Sequence, residues 1–222
     1  MIARPRTVQR TVRKPATTDE FAGRMPPGQF PARRWPVLHY GEVPPFDPAT
    51  WDFRIWGLVG RDLRLDWNAF GTLPLEQVRA GGDLHCVTRW SKMDNDWQGI
   101  RAADLLALAE PLPEARFVIL HGEGDYTANV PLAALLDPSA LLVTGVDGGP
   151  LPAEHGAPLR AVVPQLYAWK SVKWLRGLEL VAEDRPGFWE AFGYSNAADA
   201  WKEERFEDGD PGRAGPPRRP ER

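Results

Sequence analysis

One cysteine stands among 222 residues, so the chain can form no internal disulfide, no Cys-rich zinc site and no four-cysteine iron–sulfur cluster. Charge of one sign is also scarce, since the formal net charge is only −3, and a clustered basic surface of the kind that grips nucleic acid is not expected. Long apolar runs are missing, and no stretch approaches the roughly 20 residues of a membrane-spanning helix. The basic start, "MIARPRTVQRTVRKPATTDE", has no apolar run behind it, and Arg33-Arg34 is followed by proline-rich "WPVLHYGEVPPF"; neither reads as an export signal, so the expected address is the cytoplasm. Nucleotide, protease and hydrolase signatures are absent as well: no G-x-G-x-x-G, no P-loop, no H-E-x-x-H, no G-x-S-x-G and no C-x-x-C-H.

What is plentiful is proline, glycine and tryptophan, at 23, 21 and 10 residues, which implies many turns, few long helices and large rigid planes for a core or pocket wall. Residues 1–28 read as a disordered or wrapping arm and 207–222 as a disordered tail, with one domain over 29–206. Alternation predicts strands at 52–59 and 61–67, and 83–90, 116–122, 140–152, 157–165 and 172–182 also read as strands. Short helices are expected over 74–80, 101–110 and 132–137, and the stretch after Cys86, "VTRWSKMDNDWQG", reads as an irregular loop. The class is α+β with a mixed β-sheet and short peripheral helices.

Two segments carry the chemistry. The first, "GGDLHCVTRWS" (81–91), holds Cys86 at a strand end. A lone cysteine there is most often a small buried hydrophobe, but Arg89 is near enough in sequence to lower a thiol's pKa, and a thiolate is a soft metal ligand. The second, "EHGAPLRAVVPQLYAWKSVKW" (154–174), sets His155, Arg160, Lys170, Ser171 and Lys173 among apolar strand residues. Arg160 either reaches solvent from a strand edge or needs a bound anion as partner.

The order "CVTRWS…DWQG…ADLL", then "HGAPLRAVVPQLYAWKSVKWLRGLEL", then "PGFWEAFGYSNAADAWKEERF" resembles the molybdopterin-binding domain of the sulfite oxidase family, above all its compact bacterial oxidoreductases, over residues 30–206. The resemblance implies a sulfite oxidase-type molybdopterin-binding fold and a molybdenum-molybdopterin cofactor. It implies that Cys86 is the protein ligand to the metal, with two further sulfurs coming from the cofactor. It assigns cofactor contacts to Leu38, His39, Gly122 (through backbone alone), His155, Arg160, Ser171, Val172 and Lys173, and a catalytic, substrate-steering role to Arg89 beside Cys86. Where sulfite oxidases follow the cysteine with an arginine-rich stretch, this chain has Arg89 alone.

The expected activity is oxygen-atom transfer on a small polar or anionic sulfur- or nitrogen-containing substrate. Trp90, Trp97 and Trp169 are candidates for the pocket wall. With no haem motif and too few cysteines for a cluster, electrons are expected to pass through an external electron-transfer protein; neither nucleic acid nor membrane is an expected partner. Two other readings stay open: a catalytically silent molybdopterin-binding or carrier protein, and a metal-free cysteine redox sensor.

Overall fold

Short strands, some alternating and some continuously apolar, frame this chain, and the computed structural model, which describes residues 21–207, arranges them in two sheets. The smaller sheet pairs five strands. They are β2 (Asp52–Gly57), β3 (Leu63–Asp66), β6 (Phe117–Gly122), β7 (Thr127–Pro131) and β11 (Leu175–Val181), in the order β3-β2-β11-β6-β7. The larger sheet is centred on β5 (Trp90–Arg101). It is flanked by β1 (Phe30–Pro31), β4 (Val78–His85) and β8 (Leu141–Val146), and completed by β9 (Gly149–Pro150) and β10 (Arg160–Val162). Two pairings are parallel, β1 with β5 and β2 with β11, and the rest are antiparallel, so both sheets are mixed. Three short helices, α1 (Trp67–Gly71), α2 (Ala102–Ala107) and α3 (Leu132–Leu136), sit between strands, which makes the class α+β as expected.

Side-chain alternation in the larger sheet separates two cores. Leu142, Ala161 and Val163 face the smaller sheet and join Phe53, Ile55, Val118, Leu120, Leu178 and Leu180 in one cluster, which α2 closes with Leu105 and Leu106. Leu141, Val143 and Val162 point the other way, into a second cluster with Leu84, Cys86, Trp90 and Trp97. Arg160 shares the parity of Val162, so the pleat sends it to this second face. A close backbone approach holds β5 to β8: a Cβ on Gly99 would stand 2.1 Å from the Leu142 carbonyl oxygen.

Two expectations fail. Residues 74–80 form no helix; from Val78 onward they are β4, paired from Val78↔Gly99 to His85↔Ser91. Of the stretch 87–99 read as an irregular loop, residues 90–99 lie within the twelve-residue β5. Pairing partners on both edges of β5 outweigh the local helix signal of "PLEQVRA" and the polar composition of "SKMDND". Of the expected arm, residues 21–28 lie against the larger sheet, with the Arg24 guanidinium on Asp83 and Asp94; residues 1–20, and the expected tail beyond Glu207, lie outside the described residues.

Candidate active site

A tight turn joins β4 to β5, and Cys86 opens it. The Cys86 amide donates to the Trp90 carbonyl at 2.9 Å, the Arg89 amide donates to the Cys86 carbonyl at 3.0 Å, and Gln29 Nε2 donates to that same carbonyl at 3.0 Å. Arg89 takes a left-handed φ of 77° to close the turn. From below, Arg205 Nη1 donates to the Val87 carbonyl at 2.7 Å. A sulfur held by so many backbone contacts is fixed in position before anything binds it.

The sulfur borders a cleft of about 380 Å³. Cys86 is 9% exposed, and its Sγ lies 3.2 Å from the Thr88 hydroxyl. Burial pushes the thiol pKa up, while Thr88, Lys173 and Arg205 pull against that rise. The net upward shift means that the thiol on its own is no activated nucleophile. A metal ion at the sulfur would favour the thiolate.

Opposite the turn, the connection from β10 to β11 supplies cations. Arg160 is buried; its Nη1 donates to the His155 carbonyl at 2.9 Å and its Nη2 to the Ser171 carbonyl at 3.1 Å. Among the described residues no carboxylate pairs with it, and burial brings its pKa down to about 10. Lys173 Nζ donates to the carbonyls of Leu38 (2.8 Å) and Glu154 (2.7 Å), and burial together with Arg160 lowers its pKa to about 7. Ser171 Oγ accepts from the Val163 amide, and Val172 forms part of the wall. Trp35 stacks on His155 at 3.7 Å and lies under the Arg160 guanidinium at 5.7 Å.

The positions named from the sequence divide into three groups. Leu38, His39, Cys86, Arg160, Ser171, Val172 and Lys173 line the cleft together, as do Trp90 and Trp169. Beside it, His155 lies behind Trp35. Gly122 packs where a Cβ would meet Lys173 O and Val172 Cγ1, both at 3.0 Å, so its part is to let β6 close on the 171–173 segment. Away from it, Arg89 turns to Glu203, 3.8 Å distant, and stays outside the lining, because its left-handed turn position aims it across the outer surface; Trp97 is core. The sequence reading missed Trp35, Thr88, Tyr126, Trp189, Tyr194 and Arg205. Thr88 and Trp35 sit inside motifs already quoted, whereas Arg205 acts on a turn 118 positions away, which no local signal reveals.

Three observations test the fit of a pterin phosphate and a soft metal. Arg160 and Lys173 border the cleft with no carboxylate ion-paired to either among the described residues, a thiol borders the same cleft across from them, and the buried His155 Nδ1 and Trp90 Nε1 have no hydrogen-bond partner there. The residues present fit that group.

Known proteins agree. The family described as "Oxidoreductase molybdopterin binding domain" matches residues 40–189. The uncharacterized oxidoreductase YuiH of Bacillus subtilis (strain 168) is 44% identical over 186 residues, spanning 83% of this chain and 93% of its own. The protein-methionine-sulfoxide reductase catalytic subunit MsrP of Gluconobacter oxydans (strain 621H) is 30% identical over 78% of this chain and 67% of its own. The crystal structure of the sulfane dehydrogenase SoxCD from Paracoccus pantotrophus superposes with a TM-score of 0.59 at 21% identity, covering 65% of this chain and 41% of that one, a likeness of fold.

Proposed function

Since the chain belongs to the oxidoreductase molybdopterin-binding domain family, within the sulfite oxidase group its motifs resemble, we propose that it catalyses oxygen-atom transfer on a small sulfur- or nitrogen-containing substrate, exchanging electrons with an external redox protein. The cofactor of this family is molybdenum-molybdopterin. When bound, it supplies a two-electron couple and the centre at which oxygen is exchanged.

This chain's residues do the rest. Cys86 would hold the metal, and its backbone-clamped turn fixes where the sulfur stands. Arg160 and Lys173 would hold the phosphate, with Leu38, His39, His155, Ser171 and Val172 around the pterin. Trp35, wedged between His155 and Arg160, braces the pair from the side. Cleft walls that bury the bound group also strengthen each charge interaction inside it.

One observation carries the reading: the thiol and two basic side chains with no ion-paired carboxylate among the described residues border the same cleft, although the chain brings them from separate segments. The metal-free redox-sensor reading loses support, because burial leaves the thiol less acidic than usual. The test is elemental analysis for molybdenum, pterin fluorescence after denaturation and turnover with an artificial dye. Expected are near-stoichiometric metal and pterin with dye-linked activity, and for Cys86→Ser a folded protein without turnover. Undiminished activity in Cys86→Ser would falsify the ligand assignment, and full loading with no turnover would leave a carrier.

A further inference from the structure

The peptide units that follow Cys86 are each held from a different side. The Cys86 carbonyl is taken by Gln29 and by the Arg89 amide. The next carbonyl, that of Val87, accepts from Arg205 Nη1 at 2.7 Å. A trans peptide unit sends its N–H, here that of Thr88, away from the oxygen that Arg205 holds. That N–H acts on the Cys86 sulfur, as does the Thr88 hydroxyl at 3.2 Å. Guanidinium, peptide unit and sulfur thus form one polarised chain, in which a cation at the oxygen end strengthens the N–H at the other.

Arg205 is placed for this contact rather than for its own stability. It is 6% exposed, and its Nε has no hydrogen-bond partner among the described residues. Its Cζ stands 4.7 Å from the centroid of the buried Tyr167 ring, and Nη2 lies within 3.5 Å of the Pro27 carbonyl. The backbone beneath it is fixed, because the Arg205 carbonyl accepts from the Ser195 amide at 3.1 Å and Phe206 pairs with Tyr194. One half-exposed carboxylate, Glu203, serves both Arg205 at 3.3 Å and Arg89 at 3.8 Å. This trio therefore leaves net positive charge behind the turn. The field of Arg205 reaches the sulfur and favours negative charge there. Arg205 also lies outside residues 40–189, the stretch that the family match spans.

Resting on the reading of Cys86 as metal ligand, we infer that Arg205 is a positioning residue for that ligand: through the Val87–Thr88 peptide unit it keeps an N–H on the sulfur and draws electron density from it, raising the reduction potential of the metal. Hydrogen bonds and charges around a coordinating thiolate tune metal sites in this way. With density withdrawn from the sulfur, the reduced metal is easier to reach. Loss of the cation then lowers the potential, and loss of its carboxylate raises it.

The test is the one-electron midpoint of bound molybdenum, followed by electron paramagnetic resonance in a redox titration of the loaded protein at low salt. Arg205→Met should shift that equilibrium about tenfold toward the oxidised metal, or about 59 mV lower, the scale of one partly buried charge. Arg205→Lys keeps the charge and should restore most of the shift. Glu203→Gln should move the equilibrium about threefold the other way, less because solvent screens Glu203. Metal content, pterin content and urea midpoint are measured beside each variant; a merely structural role would not move the potential in opposite directions. A midpoint unchanged in Arg205→Met or Glu203→Gln, or one that Arg205→Lys fails to restore, overturns the inference. Should Arg205→Met not load, Glu203→Gln decides alone, a raised midpoint supporting the inference and an unchanged or lowered one overturning it. Should wild type hold no molybdenum, the metal-ligand reading itself fails, and alkylation of Cys86 by iodoacetamide in the metal-free protein takes its place. Slower alkylation in Arg205→Met and faster in Glu203→Gln would support the hold on the sulfur; equal rates would sink it.

Discussion

Arg160 carries a charge that its protein surroundings do not neutralise. Backbone carbonyls of His155, Ala161 and Ser171 take its hydrogens, Trp35 and Trp97 flank its plane, and no carboxylate among the described residues pairs with it. Burying such a group costs several kcal/mol, a cost an incoming phosphate would offset. A guanidinium that holds three carbonyls and has donors left for an anion is beyond a lysine's single ammonium. Arg160→Lys should therefore fold yet retain about a tenth or less of the bound pterin, read by fluorescence after denaturation. Wild-type pterin content in that variant would remove Arg160 from the cofactor contacts. The cleft residues legible beforehand were those in motifs of distinctive chemistry, Cys86 and the segment from His155 to Lys173. The aromatic residues Tyr126, Trp189 and Tyr194 were not legible as site residues, since an aromatic side chain looks alike in a sequence whether it fills a core or lines a cleft.

At the scale of elements, the wall behind Trp169 rests on a buried ion pair between the loop after β10 and the short helical turn Glu190–Phe192. Glu190 accepts from both Trp169 and Lys170, and Lys170 also reaches Asn129 on β7 at 2.9 Å. Glu190→Gln leaves a buried ammonium without its counter-charge and should cost about 3–5 kcal/mol in urea unfolding. Adding Lys170→Met should recover a large part of that loss. Equal stability of Glu190→Gln and wild type would show that the pair is solvated. β2, whose face alternates, and β6, β8 and β11, which are short apolar runs bounded by turn residues, could be read from residue pattern alone. The β4–β5 pair could not, because "PLEQVRA" satisfies a helix locally and the polar run from Ser91 to Asp96 alternates only in burial. Its buried residues Asn95, Trp97 and Gly99 become visible as one face only once β4 and β8 lie alongside.

For the molecule as a whole, two histidines tie stability to pH. Burial lowers both His85 and His155 to about 4. An unfolded histidine takes up its proton near 6.5, so below that value the unfolded chain binds protons the folded one refuses. The stability these residues contribute is present above pH 6.5 and drains away as pH falls from 6.5 toward 4. Urea midpoints of the cofactor-free protein should drop steadily across that window, and the double variant His85→Gln/His155→Gln should flatten the drop. A midpoint that stays level from pH 7 to 5 would contradict the neutral burial of both rings.

The cleft's walls come from separate stretches of chain, around Leu38, Cys86, Tyr126, Arg160, Ser171 and Trp189, brought together only by the completed pair of sheets. An unfolded chain therefore holds no remnant of the site, and whatever binds there binds the native state alone. Affinity and stability are then two readings of one equilibrium: each tenfold tightening of the bound group adds about 1.4 kcal/mol to the resistance against unfolding at saturating concentration. Such a fold keeps its cofactor by remaining folded, and the cofactor in turn keeps it so.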